Sequence, residues 1–512
     1  MRFSPFLAGV VVAAAASLAA SPPSGPPALH GMQGVDDDSM TGETYTWHNG
    51  TLEARYLALN ATLRPGMRRY NVFWSGLESG PPPSATPQAC PAGFLAVPAT
   101  EAERVARGYH LFHCYSADTL ARFDRVLQLD ASIGAASAFI TYGSPDWAAD
   151  PACTGFPWPP NPNFRQGCLP WKALDAFEDY ILVMAERWSA PWGSGKARLS
   201  GICVWNEVVR APPGPRAPPA PGPPPHDDCT HTHAHARTHA AQQSMGWSDP
   251  SPILPNRYSG SGPMFTPPQL QLYADMIANL TIRAGAAAAR AAAGAGAGAA
   301  PAFLWLSTDH FLTAPPLKAG DVGHVGLYEL AERMWPATWA AGVTWGVAVH
   351  PYDAGDPRQD LTKQGIYTFA TLRETVGAFQ CAQLARVGGV PPSQCWFWPH
   401  TLMWASEQGW PTGPSMNKTK QARNICYAHG LSLAQGLWAV SHNLFQSPVP
   451  SNQGGGGDFS LLDEPPVIGA DLANGAGHAT FDAYAATAPG VWGAGSAHYC
   501  CAQWQVGCAA AA

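Results

Sequence analysis

Two apolar runs that end in a carboxylate lie far apart in the 512-residue chain. The run 201–205 is followed by Asn206 and Glu207, and the run 401–406 is followed by Glu407. Each run is interpreted as a buried strand that delivers a glutamate at its C-terminal tip. Two such carboxyl groups are what glycoside hydrolysis requires, because one protonates the leaving oxygen and the other attacks the sugar carbon or activates water. The two glutamates are therefore the candidate catalytic pair.

Polar residues also end the later predicted strands. They are Asp309 and His310 after the fifth strand, His350 and Tyr352 after the sixth, and His442 and Asn443 after the eighth. A single acidic strand end is usually only the start of a solvated loop. When several strands of one barrel end in polar residues, those residues converge on the barrel axis. The sequence therefore predicts one site at the C-terminal ends of the strands.

Strands and helices are predicted to alternate along the chain. The predicted strands are 69–74, 109–114, 138–142, 201–207, 302–309, 345–350, 401–407 and 438–443. The predicted helices are 53–63, 100–107, 118–130, 171–188, 268–290, 325–340, 371–386 and 420–435. Eight alternating strands favour an α/β fold, a (β/α)8 TIM barrel with low-complexity loop insertions. An open doubly wound sheet is less favoured because no Gly-rich phosphate loop follows the first strand.

The predicted catalytic domain spans residues 45–465 and leaves two terminal segments outside it. Residues 1–20 have the positive start, short apolar run and small-residue end of a secretory signal peptide. A polar, mobile segment is expected from there to about residue 40. A low-complexity insertion occupies 211–245, and the Gly/Ala-rich extension 466–512 is expected to pack against the barrel.

The segment Trp205-Asn206-Glu207, taken with Ser406-Glu407-Gln408-Gly409-Trp410, resembles the motifs of a clan of retaining β-glycosidases. In that clan the catalytic glutamates end the fourth and seventh strands of a (β/α)8 barrel. The chain is similar to families 5 and 39 of the clan, and more closely to an uncharacterised family of secreted glycosidase-like barrels. The blocks His350-Pro351-Tyr352 and Asp309-His310 fit the same pattern. The proline runs, His tract and Ala/Gly repeats depart from it and look like insertions.

The resemblance implies a role for each residue that matches its motifs. Glu207 would be the general acid/base and Glu407 the nucleophile, with Tyr352 as a hydrogen-bond donor to that nucleophile. Asn206 would bond the sugar 2-hydroxyl, and His350 would orient the nucleophile or contact the sugar. The activity implied is that of an O-glycosyl hydrolase acting on a polysaccharide or glycoconjugate by a retaining mechanism.

Further residues are candidates for substrate binding, each with an equally ordinary structural interpretation. Asp309 and His310 could bind substrate or begin the next helix. The tryptophans could stack on sugar rings or fill the core; they are Trp205, Trp404, Trp410 and Trp438.

Two other functions remain open at this stage. A non-catalytic carbohydrate-binding or cell-wall protein could use the same barrel, because a fold does not fix a function. An inverting hydrolase would use the same two carboxylates at a wider separation.

The cysteines favour an oxidising compartment. None of the 12 shows a CxxC metal spacing, so disulfides in a secreted, extracellular or cell-wall protein are the better interpretation. The pairs Cys153–Cys168 and Cys381–Cys395 bracket short segments and are the expected bridges, whereas Cys203 lies within a core strand and is expected to stay free. Sequons that would accept glycans in a eukaryotic host begin at Asn49, Asn60, Asn279 and Asn417.

Other partners and cofactors are not expected. The net charge of −7 and the lack of a long basic patch argue against nucleic acid. No stretch after the signal peptide is long and apolar enough for a membrane span. The His tract 226–239 is embedded in low complexity, so no metal site and no cofactor are predicted. A carbohydrate substrate is the expected partner.

Overall fold

The structure is a computed structural model that describes about half of the 512-residue chain, in thirteen stretches. The described residues are 32–36 and 267–270 (as backbone), 66–149, 169–170, 173–190, 196–205, 271–295, 302–308, 326–351, 355–364, 366–391, 395, 403–410 and 416–442.

Eight parallel strands close into a barrel, in which the first strand pairs with both the second and the last. In chain order they are β1 (Met32–Asp36), β2 (Met67–Phe73), β5 (Ala136–Tyr142), β6 (Gly201–Cys203), β7 (Phe303–Thr308), β8 (Gly346–Val349), β9 (Met403–Gln408) and β10 (Ala439–His442). The numbers β3 (Phe94–Val97) and β4 (His113–Ser116) belong to a separate two-stranded sheet. The predicted (β/α)8 barrel is confirmed.

One predicted barrel strand is wrong and one barrel strand was not predicted, and the two errors cancel in the strand count. The first barrel strand is β1, within the segment expected to be polar and mobile. The predicted second strand, 109–114, overlaps β4, which pairs antiparallel with β3 outside the barrel. It resembled a barrel strand because His113, Cys114 and Tyr115 are all buried, here against helices instead of inside the barrel. The segment before Glu207 is therefore still the fourth barrel strand, and the segment with Glu407 is still the seventh.

Helices surround the barrel between successive strands. They are α1 (Trp74–Leu77), α2 (Glu101–Arg107), α3 (Ala117–Ser132), α4 (Leu174–Arg187), α5 (Pro267–Gly294), α6 (Leu327–Ala340), α7 (Ala378–Gly388) and α8 (Lys418–Ala434). A π-helical turn at Arg373–Gly377 leads into α7. The predicted start of α2 is confirmed, because the hydroxyl of Thr100 accepts from the backbone N–H of Glu103.

Helix α3 illustrates how the sequence pattern fixes the packing of the outer layer. Its buried side chains recur at helical spacing and include Leu120, Phe123 and Leu127. Phe123 packs against Phe139 of β5, with ring centroids 5.0 Å apart. The barrel strand thus buries one face against its helix and leaves the other face for the interior.

Two disulfides join described cysteines, Cys90–Cys114 and Cys381–Cys395. The second was predicted; the first was not, because its cysteines are too far apart in sequence to suggest a short bridge. Cys203 is free and buried, as expected. The expected Cys153–Cys168 bridge lies outside the described residues. Among the described helices, none has the length and apolarity needed to cross a membrane.

Candidate active site

Glu407 lies at the C-terminal end of β9 and its side chain enters the barrel. It accepts a short hydrogen bond at Oε1 from Nη2 of Arg69, on β2. These two strands are not neighbours in the barrel, so the side chains meet by crossing its interior. Glu407 is 6% exposed and Arg69 is fully buried. A guanidinium at this position favours the ionised carboxylate.

A β-bulge explains how Glu407 reaches the interior. Ser307, Ala348 and Trp404 are register partners on adjacent strands and so share one face. His350, two residues beyond Ala348, is on that face and approaches Glu407. Trp404 and Glu407 therefore both point inward although they are three residues apart, which a regular strand with period two forbids.

The pairing of β9 with β10 contains the extra residue that allows both Trp404 and Glu407 to point inward. Ala405 pairs with Val440 and Gln408 pairs with His442, so three steps on β9 match two on β10. Bulges of this kind re-aim a side chain and are common next to active sites. The sequence pattern did not reveal this bulge.

Arg69 was missed by the sequence analysis. It also donates from Nη2 to Oδ1 of Asn71, 3.2 Å away. A signal was present, since Arg68 and Arg69 interrupt a strand whose residues are otherwise mostly buried, and buried arginines are rare unless paired. Arg68 points the other way, with its Nε 3.4 Å from Oδ1 of Asp130 on α3.

His350 lies at the end of β8, on the side of Glu407 away from Arg69. Its Nδ1 is 3.5 Å from Oε2 of Glu407, and its Nε2 is 3.2 Å from Oγ of Ser307 on β7. The imidazole is fully buried. Of the predicted site residues, His350 and Glu407 are brought together.

The fourth barrel strand leads towards the same face. The hydroxyl of Thr141 donates to the carbonyls of Cys203 and Val204, at 2.8 and 2.9 Å, and so fixes the chain where it leaves β6. Gly201 pairs with Ala138, which pairs with Arg69, so Cys203, two residues after Gly201, lies on the same face as Arg69. Burial raises the pKa of the Cys203 thiol. Trp205, the last described residue here, is buried.

Six predicted site residues lie outside the described residues. They are Asn206, Glu207, Asp309, His310, Tyr352 and Asn443. Trp410 is described and buried, and its carbonyl accepts from Nε2 of Gln421 at 2.7 Å.

Trp438 occupies a position that does not suit substrate stacking. It precedes β10, at the N-terminal end of the barrel, and its ring centroid lies 4.8 Å from that of Trp305 and 5.6 Å from that of Trp404. The three rings fill the barrel interior below the level of Glu407. The core interpretation of Trp404 and Trp438 is thus the one that fits their surroundings, because a parallel barrel opens its site at the other end.

His442, in contrast, faces away from the interior. Its Nδ1 is 3.2 Å from Nε2 of Gln408, and it neighbours His429 of α8, outside the barrel. Burial lowers the pKa of His429 to about 3, with a further contribution from His442. The described residues contain no group of three or more His, Cys, Asp or Glu placed to hold a metal ion.

No protein-family model matches the chain, and no curated protein matches it. Several solved structures are similar at low identity. A β-glucosidase named 1317 is 14% identical with a TM-score of 0.40, over 82% of this chain and 85% of its own. A GH5-4 broad-specificity endoglucanase from Clostridium acetobutylicum is 12% identical with a TM-score of 0.38, over 84% and 92%.

A hyperthermophilic β-glucosidase from Pyrococcus furiosus is 9% identical to this chain with a TM-score of 0.42, over 88% of this chain and 93% of its own. With TM-scores below 0.5, these likenesses carry no argument about activity. The barrel assignment rests on the strand pairing of the chain itself.

Proposed function

We propose that the protein is a secreted glycoside hydrolase that cleaves β-glycosidic bonds by a retaining mechanism. Glu407 is the nucleophile and Glu207 the general acid/base. The observation that carries the proposal is the environment of Glu407 at the mouth of the barrel. Its carboxylate is nearly buried, accepts from the Arg69 guanidinium at one oxygen and faces His350 at the other.

This environment supports a nucleophile in preference to an acid. A carboxyl group that must donate a proton is kept neutral by apolar surroundings. Glu407 instead has a fixed positive charge against it, which favours the charged form needed for attack on the sugar carbon. The carboxylate oxygen would form the bond to that carbon while the bond to the leaving oxygen breaks.

The acid/base role of Glu207 rests on its place in the chain. Glu207 follows two residues after Trp205, beyond the fourth strand, and Glu407 ends the seventh. These strand ends lie on opposite sides of the barrel mouth, so a sugar can lie between them. In a retaining enzyme the two carboxyl groups are about 5–5.5 Å apart, against roughly 6.5–9.5 Å in an inverting one. Asn206, Asp309, His310, Tyr352 and Trp410 are proposed to bind the substrate.

Export is part of the proposal. The disulfides Cys90–Cys114 and Cys381–Cys395 support folding in an oxidising compartment. They agree with the signal-like residues 1–20.

Two glutamine variants test the proposal with aryl β-glycosides of different leaving groups. Glu407→Gln should lower kcat about 10⁴-fold or more for every leaving group, because no covalent intermediate can form. Glu207→Gln should impair alkyl glycosides far more than dinitrophenyl glycosides, since a good leaving group needs no proton. The measurement is initial rate at saturating substrate, with the product anomer followed by proton NMR.

Glu374→Gln is the matched control, because Glu374 is exposed in the π-helical turn outside the barrel. It should behave as wild type. Release of the inverted anomer would reject retention. Binding to a glycan array without hydrolysis, unchanged in Glu207→Gln, would point to the non-catalytic carbohydrate-binding alternative.

A further inference from the structure

We infer that a cationic patch on the rim of the barrel binds the anionic groups of an acidic glycan, which are carboxylates or sulfate esters. The patch consists of Arg423 and Tyr427 on α8, together with Arg358 on the segment that follows β8. This assignment of a substrate class rests on the proposed function and deepens it. Binding to the patch can be measured without hydrolysis.

The patch lies at the C-terminal end of the barrel strands, where the proposed active site opens. Two side chains of α8 hold the chain that leaves the strands there. Nε2 of Gln421 donates to the carbonyl of Trp410, beyond β9, at 2.7 Å, and Nδ2 of Asn424 donates to the carbonyl of Gly355, beyond β8, at 2.6 Å. Arg423 lies between these two anchors on α8 and is therefore on the rim of the mouth.

The charges of α8 are placed against the preference of a helix. All three of its Lys and Arg residues lie in the first two turns, and the helix contains no Asp or Glu. The N-terminus of a helix favours negative charge and disfavours positive charge. Helices α2, α3, α4 and α6 follow this rule, because each has an acidic residue in its first turn. The stability of α8 therefore does not explain its basic residues.

The guanidinium of Arg423 has no carboxylate of its own. Within the described parts of the chain it makes no ion pair and no hydrogen bond, and its Nε is buried without an acceptor. Its Cζ lies 5.9 Å from the ring centroid of Tyr427. A partly buried cation without a partner is costly, and a bound anion would offset that cost.

Arg358 adds a second positive charge beside the same ring. Its Cζ is 4.1 Å from the ring centroid of Tyr427, and its Nε and Nη2 donate to the two oxygens of Asp356 at 2.9 and 2.7 Å. The hydrogen bond from Arg358 holds the pKa of Asp356 below its usual value, and the charge of Arg423 adds to this effect. Two guanidinium groups thus have one carboxylate near them, so the patch keeps a net positive charge.

An arginine patch suits carboxylates and sulfate esters alike. A planar guanidinium can donate two parallel N–H bonds to the paired oxygens of either group. The chain as a whole has a net charge of −7, so most of its surface repels a polyanion and this patch gives the polyanion a favourable place to bind. Both kinds of anionic group are therefore included among the probes.

Binding of matched oligosaccharides tests the inference. The probes are β-linked glucan, mannan and galactan oligosaccharides, each in a neutral form, a form with hydroxymethyl groups oxidised to carboxylates, and a sulfated form. Affinity is measured by calorimetry with the Glu407→Gln variant, so that no probe is consumed. In at least one series we expect an anionic form to bind more tightly than its neutral counterpart, with an affinity that falls as salt is raised. The form that binds best identifies the anionic group.

Arg423→Met, added to that variant, should remove the preference. The affinity for the anionic form should fall about 10- to 100-fold, as loss of a charged hydrogen bond implies, while the affinity for the neutral form stays the same. Arg423→Lys keeps the charge and should retain part of the preference. Arg386→Met is the matched control, because Arg386 bonds Gln383 instead of a carboxylate and lies near the C-terminal end of α7, away from the mouth.

The control should bind every probe as its parent does. The inference is overturned if no anionic form binds more tightly than its neutral counterpart, which includes the absence of any binding. It is also overturned if the preference survives Arg423→Met, or if Arg386→Met reduces it equally. Hydrolysis of aryl β-glycosides by the wild type is measured separately. Anion-dependent binding without hydrolysis would reject the hydrolase but not the patch, and hydrolysis without that preference would reject the patch alone.

Discussion

Two fully buried histidines of this protein face carboxylates, and they differ in what lies at the second ring nitrogen. His113 has Nδ1 2.6 Å from Oε1 of Glu78 and Nε2 3.0 Å from Oδ2 of Asp179. Both nitrogens must donate, so this ring is an imidazolium. His350 instead has a carboxylate on one side, that of Glu407, and a hydroxyl on the other, that of Ser307.

The region around His113 is closed to solvent. Asp179 also accepts from the backbone N–H groups of His110 and Leu111, and Glu78 accepts from the indole of Trp74. These bonds join α1, the β3–β4 sheet and α4. All three side chains are fully buried, so water does not screen their charges. The region around Glu407 keeps a small exposed fraction.

The comparison of these two regions separates buried charges that stabilise the fold from buried charges that can take part in a reaction. A carboxylate whose acceptor sites are all filled by the protein, as in Asp179, holds the fold together. The Glu407 carboxylate is held in orientation by Arg69 and His350 on its two sides, but a ligand at the barrel mouth can still contact it. Burial and charge alone would have ranked the two regions equally.

His113→Leu, in the region around His113, should cause the largest loss in the free energy of unfolding. It would leave two buried carboxylates without their shared cation, which typically costs about 3–5 kcal/mol. The measurement is the free energy of unfolding by urea at pH 6.5. The folded fraction should keep a wild-type kcat; a selective loss of kcat with unchanged stability would contradict the structural role.

Alkaline pH should weaken the same region. Burial by itself lowers the pKa of His113, but the charge of Glu78 and the hydrogen bond to Asp179 outweigh it and raise the pKa to about 9. A histidine with a raised pKa stabilises the fold fully below its unfolded value, near 6.5. That stability falls as pH rises and is gone above about 9, a loss of about 3 kcal/mol. Urea unfolding between pH 6.5 and 9.5 measures it, and a flat profile would contradict the imidazolium.

Arg69→Met should affect the other region. Loss of one charged donor to Glu407 should lower kcat about 100-fold or more, while the barrel remains folded. Arg68→Met is the control, because Arg68 faces α3 and its loss should reduce the free energy of unfolding without changing kcat. Equal kinetic effects of the two variants would remove Arg69 from the site.

His350→Asn should give the smallest effect of the series. The amide can still donate towards Glu407 but is shorter, so we expect kcat to fall about 10-fold, at the low end for an outer-shell change. The free energy of unfolding should change far less than in His113→Leu. A stability loss as large as that of His113→Leu would show that the two histidines play the same role.

The sequence predicted the architecture better than it predicted the individual strands. Apolar runs such as 303–306 and 403–405 are recognisable because both faces of a barrel strand are covered. β1 was missed because Met32–Asp36 is short and lacks an apolar run. The two glutamates keep their predicted strand numbers, because the wrongly predicted second strand took the place of the unpredicted β1 in the count.

The candidate site was only partly predictable. Glu407 and His350 follow from their positions at strand ends, which is a local pattern. Glu407 contacts Arg69 of β2, which is 338 positions away in the sequence. His350 contacts Ser307 of β7, which is 43 positions away. No local spacing encodes such pairs; only the closed barrel brings them together.

The bulge in β9 gives this strand a tolerance to shortening that a regular strand lacks. Ser441 opposes both Ser406 and Glu407, so removing Ser406 would restore a regular ladder and leave Glu407 facing the interior. In β7, by contrast, loss of Leu306 would exchange the faces of Ser307 and its neighbours. Homologous strands that differ by one residue before the glutamate can therefore present the same carboxylate, and aligned motifs of unequal length can still be equivalent in space.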